Sequence, residues 1–400
     1  RGGDWSSDVC SSDLPAIRHA IVALGSLHEN LQACDNIAHA PSTTIYSLQH
    51  YNKAVLHLQR QLSSSQQSIA VTLTCCLLFI CFEALQRDYV TALTQLKKGL
   101  NILCNWKTAG RTALLSPEAR FVRENLLPLY VHLDIQATTV LESRGLGFPS
   151  DIRKLASSSG GGGGGGGGES KLPPRFTSTH EARHWLDILL YRLYDTVVVK
   201  PTTTTTAAAA AAADASPQTD HLALAQLDAM SRDWATAFTA YLHAPLHLAT
   251  LPRSSLRAST ILQIHHTVAQ IMIGTRLSST DDALYASFHP SFKAITTLCA
   301  SLIRSSSPSS SSSSSSFSSP LTAAAAERPR RSTFRFSLDM GVVPPLFYVA
   351  INCRDAVVRR EAIALLAEEP RREGIWDGRV SAEVAREHAR VKYADVGLGG

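Results

Sequence analysis

The chain is short of charge and holds no two cysteines spaced as C-x-x-C. Charged residues make up 18% of its 400 positions, which is sparse, and the net charge of +5 argues neither for nor against a nucleic-acid surface. The absence of C-x-x-C among eight cysteines excludes a six-thiolate zinc cluster built from two C-x2-C-x6-C-like halves. No secretory signal is present, so the cysteines read as reduced, buried small hydrophobes of an intracellular protein. The uncharged run IAVTLTCCLLFICF at 69–82 has 14 residues, short of the roughly 20 that cross a bilayer, and reads as a core helix without a membrane partner. No G-x-S-x-G elbow occurs, and the nine glycines at 160–168 follow no strand and cradle no phosphate. Strand alternation of useful length is missing throughout.

What is there is helical periodicity. From Pro15 to about Ala33 the apolar positions Ile17, Ala20, Ile21, Leu24, Leu27 and Leu31 recur at three- and four-residue steps, with Pro15 suited to a first turn. A second helix is expected at 44–62, with Leu48, Tyr51, Val55, Leu58 and Leu62 on one face. A third at 68–85 is apolar all round, so neighbours must cover it, and Phe79 and Phe82 are expected as its anchors. A fourth starts near Asp88, an N-cap, and carries Val90, Leu93, Leu100 and Leu103. Ser116-Pro117-Glu118 gives an N-cap, a first-turn proline and an early carboxylate for a helix running to about 143 with a bend near Pro128. Further helical patterns fall at 179–199, 220–243, 254–277, 282–304, 343–352, 355–368 and 379–392. The expected class is all-α, a multi-helix domain of packed hairpins.

Composition divides the chain. Residues 1–14 are set aside, because DWSSDVCSSDL resembles the translation of a sequencing-adapter primer and no initiator Met precedes it. The first helical part is 15–150, followed by a Gly-rich insertion at 151–178 and middle helices at 179–304 interrupted by a Thr/Ala tract at 202–213. A Ser-rich and basic insertion at 305–335, a C-terminal helical block at 336–394 and a tail at 395–400 complete it. The glycine and serine tracts bury too little apolar surface to offset ordering entropy and are expected to be disordered.

Few constellations could carry chemistry. HEARH at 180–184 matches the H-E-x-x-H zinc-protease pattern. Ser178 and Glu181, however, form a capping box, and no third ligand follows at the required spacing, so a helix start is the better reading. His265 and His266 adjoin in an apolar helix, one expected buried and the other exposed, and Asp281-Asp282 looks like a cap. Arg328, Arg330, Arg331 and Arg335 form a basic cluster that reads as a nuclear-import or phosphate-contacting patch on a linker. Asp355 with Arg359, and Glu368 with Arg372, are spaced for i,i+4 pairs. From residue 327 onward 13 basic and 11 acidic residues nearly balance, which does not favour DNA reading. No catalytic residue, metal ligand or cofactor is expected in this chain.

The stretch LDMGVVPPLFYVAINCRDAVVRREAIALLAEEPRREGIWDG at 338–378 is the most distinctive. With AIRHAIVALGSLHE, YNKAVLHLQRQL and LLFICFEALQRDYVTALTQLKKGLNIL between 16 and 103, it resembles the helical fungal-specific transcription factor domain of fungal zinc-cluster (Zn2Cys6) regulators. That resemblance implies a nuclear regulator of RNA polymerase II transcription. Its zinc cluster and DNA contact are expected only in the intact protein. The helical part would then mask, dimerise, contact coactivators or sense a small apolar effector. The terminal block is expected to dock on the 69–82 helix with Trp376 as anchor. A freestanding helical scaffold or ligand-binding protein without a DNA module is the alternative.

Overall fold

The computed structural model describes residues 14–33, 41–63, 68–108, 116–141, 172–198, 217–243, 252–277, 284–306, 334–368 and 370–393. Helix α1 (Pro15–Ala33) and helix α2 (Pro41–Leu62) pair lengthwise, and α3 (Ile69–Gln86) lies beneath them. One side of α3 sends Val71, Cys75 and Phe79 against Ile17, Ala20, Ala54 and Leu58. Its other side sends Leu73, Cys76, Leu77 and Ile80 into the main core. That is why its sequence is apolar all round. By length and composition α3 could cross a membrane, but most of it is buried within the protein. The stripe on α1, on α2 and on the helix that follows α3 is narrower than periodicity suggests, since Ile21, Leu48, Leu62 and Val90 are exposed at 54%, 38%, 41% and 77%.

Local chemistry sets the helix ends. Ser68 caps α3 by accepting from the Val71 amide at 3.3 Å, and the helix ends at Arg87 in the left-handed region, φ 65°. The side chain of Arg87, a costly residue to place there, pairs with Asp377 at 3.2 Å. Asp88 then caps α4 (Tyr89–Thr108) by accepting from the Thr91 amide at 3.1 Å. Helix α5 (Pro117–Phe121) starts at Ser116, and its Glu118 reaches across to accept from Ser68 Oγ at 2.7 Å and the Ala70 amide at 3.1 Å. The expected bend at Pro128 is a π-helical turn, Val122–Leu126, leading into α6 (Leu127–Leu141). Proline cannot donate to the ladder, and a widened turn just before it absorbs the mismatch. Gly99 lets α4 and α6 approach closely, because a Cβ there would collide with the buried ring of Tyr130.

The middle helices α7 (Thr179–Val198), α8 (Pro217–Leu242) and α9 (Arg253–Leu277) pack on one another, and α7 also packs on α6. After α10 (Leu284–Ser287), α11 (His289–Ser306) connects α9 to α12 (Val343–Asn352). Helix α13 (Ala356–Glu368) and helix α14 (Gly378–Tyr393) close the C-terminal block around α12. Leu172–Ser178 and Phe334–Arg335, grouped with the insertions on composition, belong to the fold: Phe176 is 1% exposed and Phe334 7%.

A small sheet was not foreseen. Strand β1 (Arg335–Ser337) runs parallel to β2 (Arg371–Glu373), which turns back on β3 (Trp376–Asp377). Gly374 makes that turn at φ +58°, where a Cβ would also strike Gln136. Strands of two and three residues carry no alternation to read, and β1 is paired with a segment 36 positions later.

The terminal block meets the C-terminal end of α3, where Phe334 and Phe336 join the cluster of Phe82 and Leu85, Arg372 donates to the Leu85 carbonyl and Asp377 pairs with Arg87. Trp376, 7% exposed, instead tilts on Phe347 at 5.3 Å and donates to Thr139 Oγ1 at 3.2 Å. Its anchor point is therefore α6 and α12. The Asp355–Arg359 and Glu368–Arg372 pairs do not form as expected. Asp355 caps α13 by accepting from Val357 and Val358. Arg359 donates to the Cys353 and Arg354 carbonyls and lies over the Tyr393 ring. Arg372 pairs with Asp377 at 3.1 Å. Each of these partners is nearer than the expected one because the chain turns sharply before and after these helices.

Candidate functional site

The HEARH segment opens α7 and borders a cavity of about 260 Å³. The Glu181 amide donates to Ser178 Oγ at 3.1 Å, and the Glu181 carboxylate accepts from the Thr177 amide and hydroxyl, both at 2.7 Å. Its carboxylate is thus spent on the helix start. His180 is exposed and His184 half-buried, with burial lowering the His184 pKa. Among the described residues no three His, Cys, Asp or Glu side chains converge to hold a metal ion.

Arg183, between the two histidines, does more. Its guanidinium holds Asp339 in a two-point pair, 3.1 and 2.9 Å, across 156 residues of sequence. Burial would raise the Asp339 pKa, but Arg183 outweighs it and holds the carboxyl below its ordinary range. Arg183 also lies 3.2 Å from His132 Nε2. Because that nitrogen accepts from the Met340 amide at 3.2 Å, His132 carries its proton on Nδ1, which faces Asp187 at 3.5 Å. Leu186, Leu190, Ile261, Leu262 and Met340 supply apolar walls. The arrangement is a concave, mostly apolar site with one polar end, suited to a small molecule.

His265 also lines this cavity, donating from Nε2 to the Gly341 carbonyl at 2.9 Å. The expectation that only one of the histidine pair is buried does not hold. His265 is 8% and His266 5% exposed, because α9 is covered by helices on several sides. His266 stacks on Trp234 at 4.5 Å and donates to the Ser231 carbonyl at 3.0 Å. Burial lowers both pKa values to about 4.

The other expected residues fall elsewhere. Phe79 and Phe82 are 4% and 1% exposed, on the face of α3 toward α1 and α2, with Tyr51 edge-on to the first and stacked on the second. Arg335 lies on β1, whereas Arg328, Arg330 and Arg331 and the pair Asp281-Asp282 lie outside the described residues. Sequence reasoning passed over Asp339 and Glu373. The one signal for either was a carboxylate beside glycine or in an irregular segment.

Residues 7–154 match the fungal specific transcription factor domain family. The chain carries a fungal-specific transcription factor domain. The match spans α1 to α6 and reaches back into the residues set aside at the N-terminus, of which Leu14 packs on the α1–α3 core. The chain is also similar to the aspercryptin biosynthesis cluster-specific transcription regulator atnN of Emericella nidulans. They are 25% identical over 440 residues, covering 100% of this chain and 71% of that protein. No solved structure matches the chain. The domain is a regulatory domain of a fungal transcription factor.

Apart from His132, the cavity lining lies beyond the family match, as does the terminal block, and both are inside the alignment with the regulator. The described cysteines do not fit a zinc cluster. Cys75, Cys76 and Cys81 lie along buried α3 with pKa values pushed up by burial, and Cys299 and Cys353 are buried elsewhere.

Proposed function

We propose that the domain controls RNA polymerase II transcription in the nucleus by sensing a small, largely apolar effector in the cavity beside α7. The observation that carries this reading is the Arg183–Asp339 pair, which ties α7 to the segment leading into α12 at the polar end of the cavity. An effector whose apolar body fills the wall of Leu186, Leu190 and Leu262, and whose polar end takes the Arg183 fork, competes with Asp339. Differential binding of that kind shifts the position of the C-terminal block and hence what it shows to coactivators or a second copy. In this reading zinc-dependent DNA binding belongs to the intact regulator, and control of a gene set, as the name of the E. nidulans protein states for that regulator, is the output.

The test joins the whole chain to a heterologous DNA-binding module in a fungal reporter strain. Ile261→Trp, which fills the cavity, should change reporter output several-fold while circular dichroism and melting stay near wild type. Output equal to the wild-type fusion would overturn the effector reading. Output equal to the DNA-binding module alone, for both fusions, would overturn the regulatory one.

A further inference from the structure

The polar end of the cavity beside α7 sets one guanidinium, Arg183, against two carboxylates, Asp187 and Asp339. Asp339 takes both arms of the Arg183 fork, at 3.1 and 2.9 Å. Asp187 stands one turn further along α7. The donor that faces it is His132 Nδ1 at 3.5 Å, too far for a hydrogen bond of normal length. That nitrogen is itself buried without a hydrogen-bond partner, on a ring 6% exposed. Arg183 and His184 add an attraction to Asp187 through space. The cavity is therefore bordered by a carboxylate and an imidazole N–H that stop short of each other.

The two acids differ in their access to water. The Asp339 side chain is 49% exposed and can be released to solvent, whereas that of Asp187 is 16% exposed and cannot turn outward as readily. A ligand carboxylate matches the Arg183 fork and can replace Asp339 there, yet by itself it places another negative charge beside Asp187. An amine by itself would pair with Asp187 and leave Asp339 on Arg183, so that nothing moves. A molecule with both groups on neighbouring atoms does both, and each ion it brings out of water meets its opposite. Side chains four apart on a helix have Cβ atoms about 5–6 Å apart, a span that two adjacent charges on one small molecule can bridge. Leu186, Leu190, Ile261, Leu262 and Met340 receive the remainder, which is apolar. The volume of about 260 Å³ lies just under the roughly 300–1,000 Å³ of drug-sized pockets, so the body is small.

We infer that the ligand of this cavity is an apolar α-amino acid, its carboxylate held by Arg183 and the His132 Nδ1–H and its ammonium by Asp187. This assignment rests on the effector reading of the same cavity and names the class of molecule that enters it.

Calorimetric titration of the full chain at pH 7 with L-valine, L-leucine, L-methionine and L-phenylalanine in turn is the experiment. At least one should fill a single saturable site tighter than about 1 mM. The tightest is then compared with the acid that lacks its amine and with the amine that lacks its carboxyl group. Each should bind about ten-fold or more weakly, because each leaves a charged group of the cavity unmet. Asp187→Asn should abolish the preference for the amino acid over the acid without an amine, with melting temperature as the check on folding. Should that variant not fold, the three-ligand comparison on the wild-type chain decides. No saturable binding by any of the four, the acid without an amine binding as tightly as the amino acid, or the preference kept in folded Asp187→Asn would each overturn the assignment. If no amino acid binds while Ile261→Trp still changes reporter output, the amino-acid assignment falls and the effector reading stands. If an amino acid binds as expected while output does not respond, the site stands and its regulatory role falls.

Discussion

Glu373→Ala should be among the most damaging single changes in this chain. Helix α12 begins at Val342 without any side-chain cap of its own, and Glu373 takes that role from 30 residues away, accepting three successive amides at 2.9–3.1 Å. The carboxylate is 2% exposed, and Arg371 beside it is 9% exposed. Burial pushes its pKa up, against the pull of the amides and Arg371. Removing the acceptor leaves two buried donors at Val342 and Val343 and takes the carboxylate from beside the buried Arg371 guanidinium. Breaking such a buried pair costs about 3–5 kcal/mol. Glu373 lines a second cavity, of about 420 Å³, so water can reach the gap, and the lower end, about 3 kcal/mol, is expected. Glu373→Gln keeps the shape and one acceptor oxygen and should cost about half as much. Urea unfolding followed by circular dichroism measures both. A loss below about 1 kcal/mol for Glu373→Ala would refute the claim that this carboxylate holds the helix start.

Two further outcomes follow from burial. Phe79→Asp should leave the protein unfolded, since it removes a 4% exposed ring from between α1, α2 and α3 and puts a charge in its place. Phe79→Leu should cost only about 1–2 kcal/mol, and a cooperative melt for the aspartate variant would contradict this packing. Stability should also fall on acidification. His265 and His266 have folded pKa values of about 4 against an ordinary 6.5, so between those limits the unfolded chain binds more protons than the native one. The stabilising margin is whole above pH 6.5 and is lost as pH falls toward 4, by about 2 kcal/mol per histidine at pH 5. His265→Gln should reduce that slope in urea titrations repeated at several pH values, and an unchanged slope would count against burial as its cause.

Helix positions, some of their N-caps and the need to cover α3 were legible in the sequence, because each is written in contacts three or four residues apart. Asp88, Ser116 and Ser178 cap helices as their spacing indicates, and α3 is buried because it is apolar on every side. Resemblance of 16–103 to the family named the domain before any geometry was known, as the match over 7–154 shows. Only the tertiary structure decided the rest. It turned HEARH from a pair of histidines into a platform for Arg183, whose partner Asp339 lies 156 positions away. It moved Arg335 from a supposed linker onto a strand opposite Arg371, and it placed Trp376 on α6 and α12. The physical reason is common to all three. A hydrogen bond or ion pair across the fold leaves no period in the sequence, and which distant groups meet is set by how amphipathic helices, each specified locally, pack to bury their faces together.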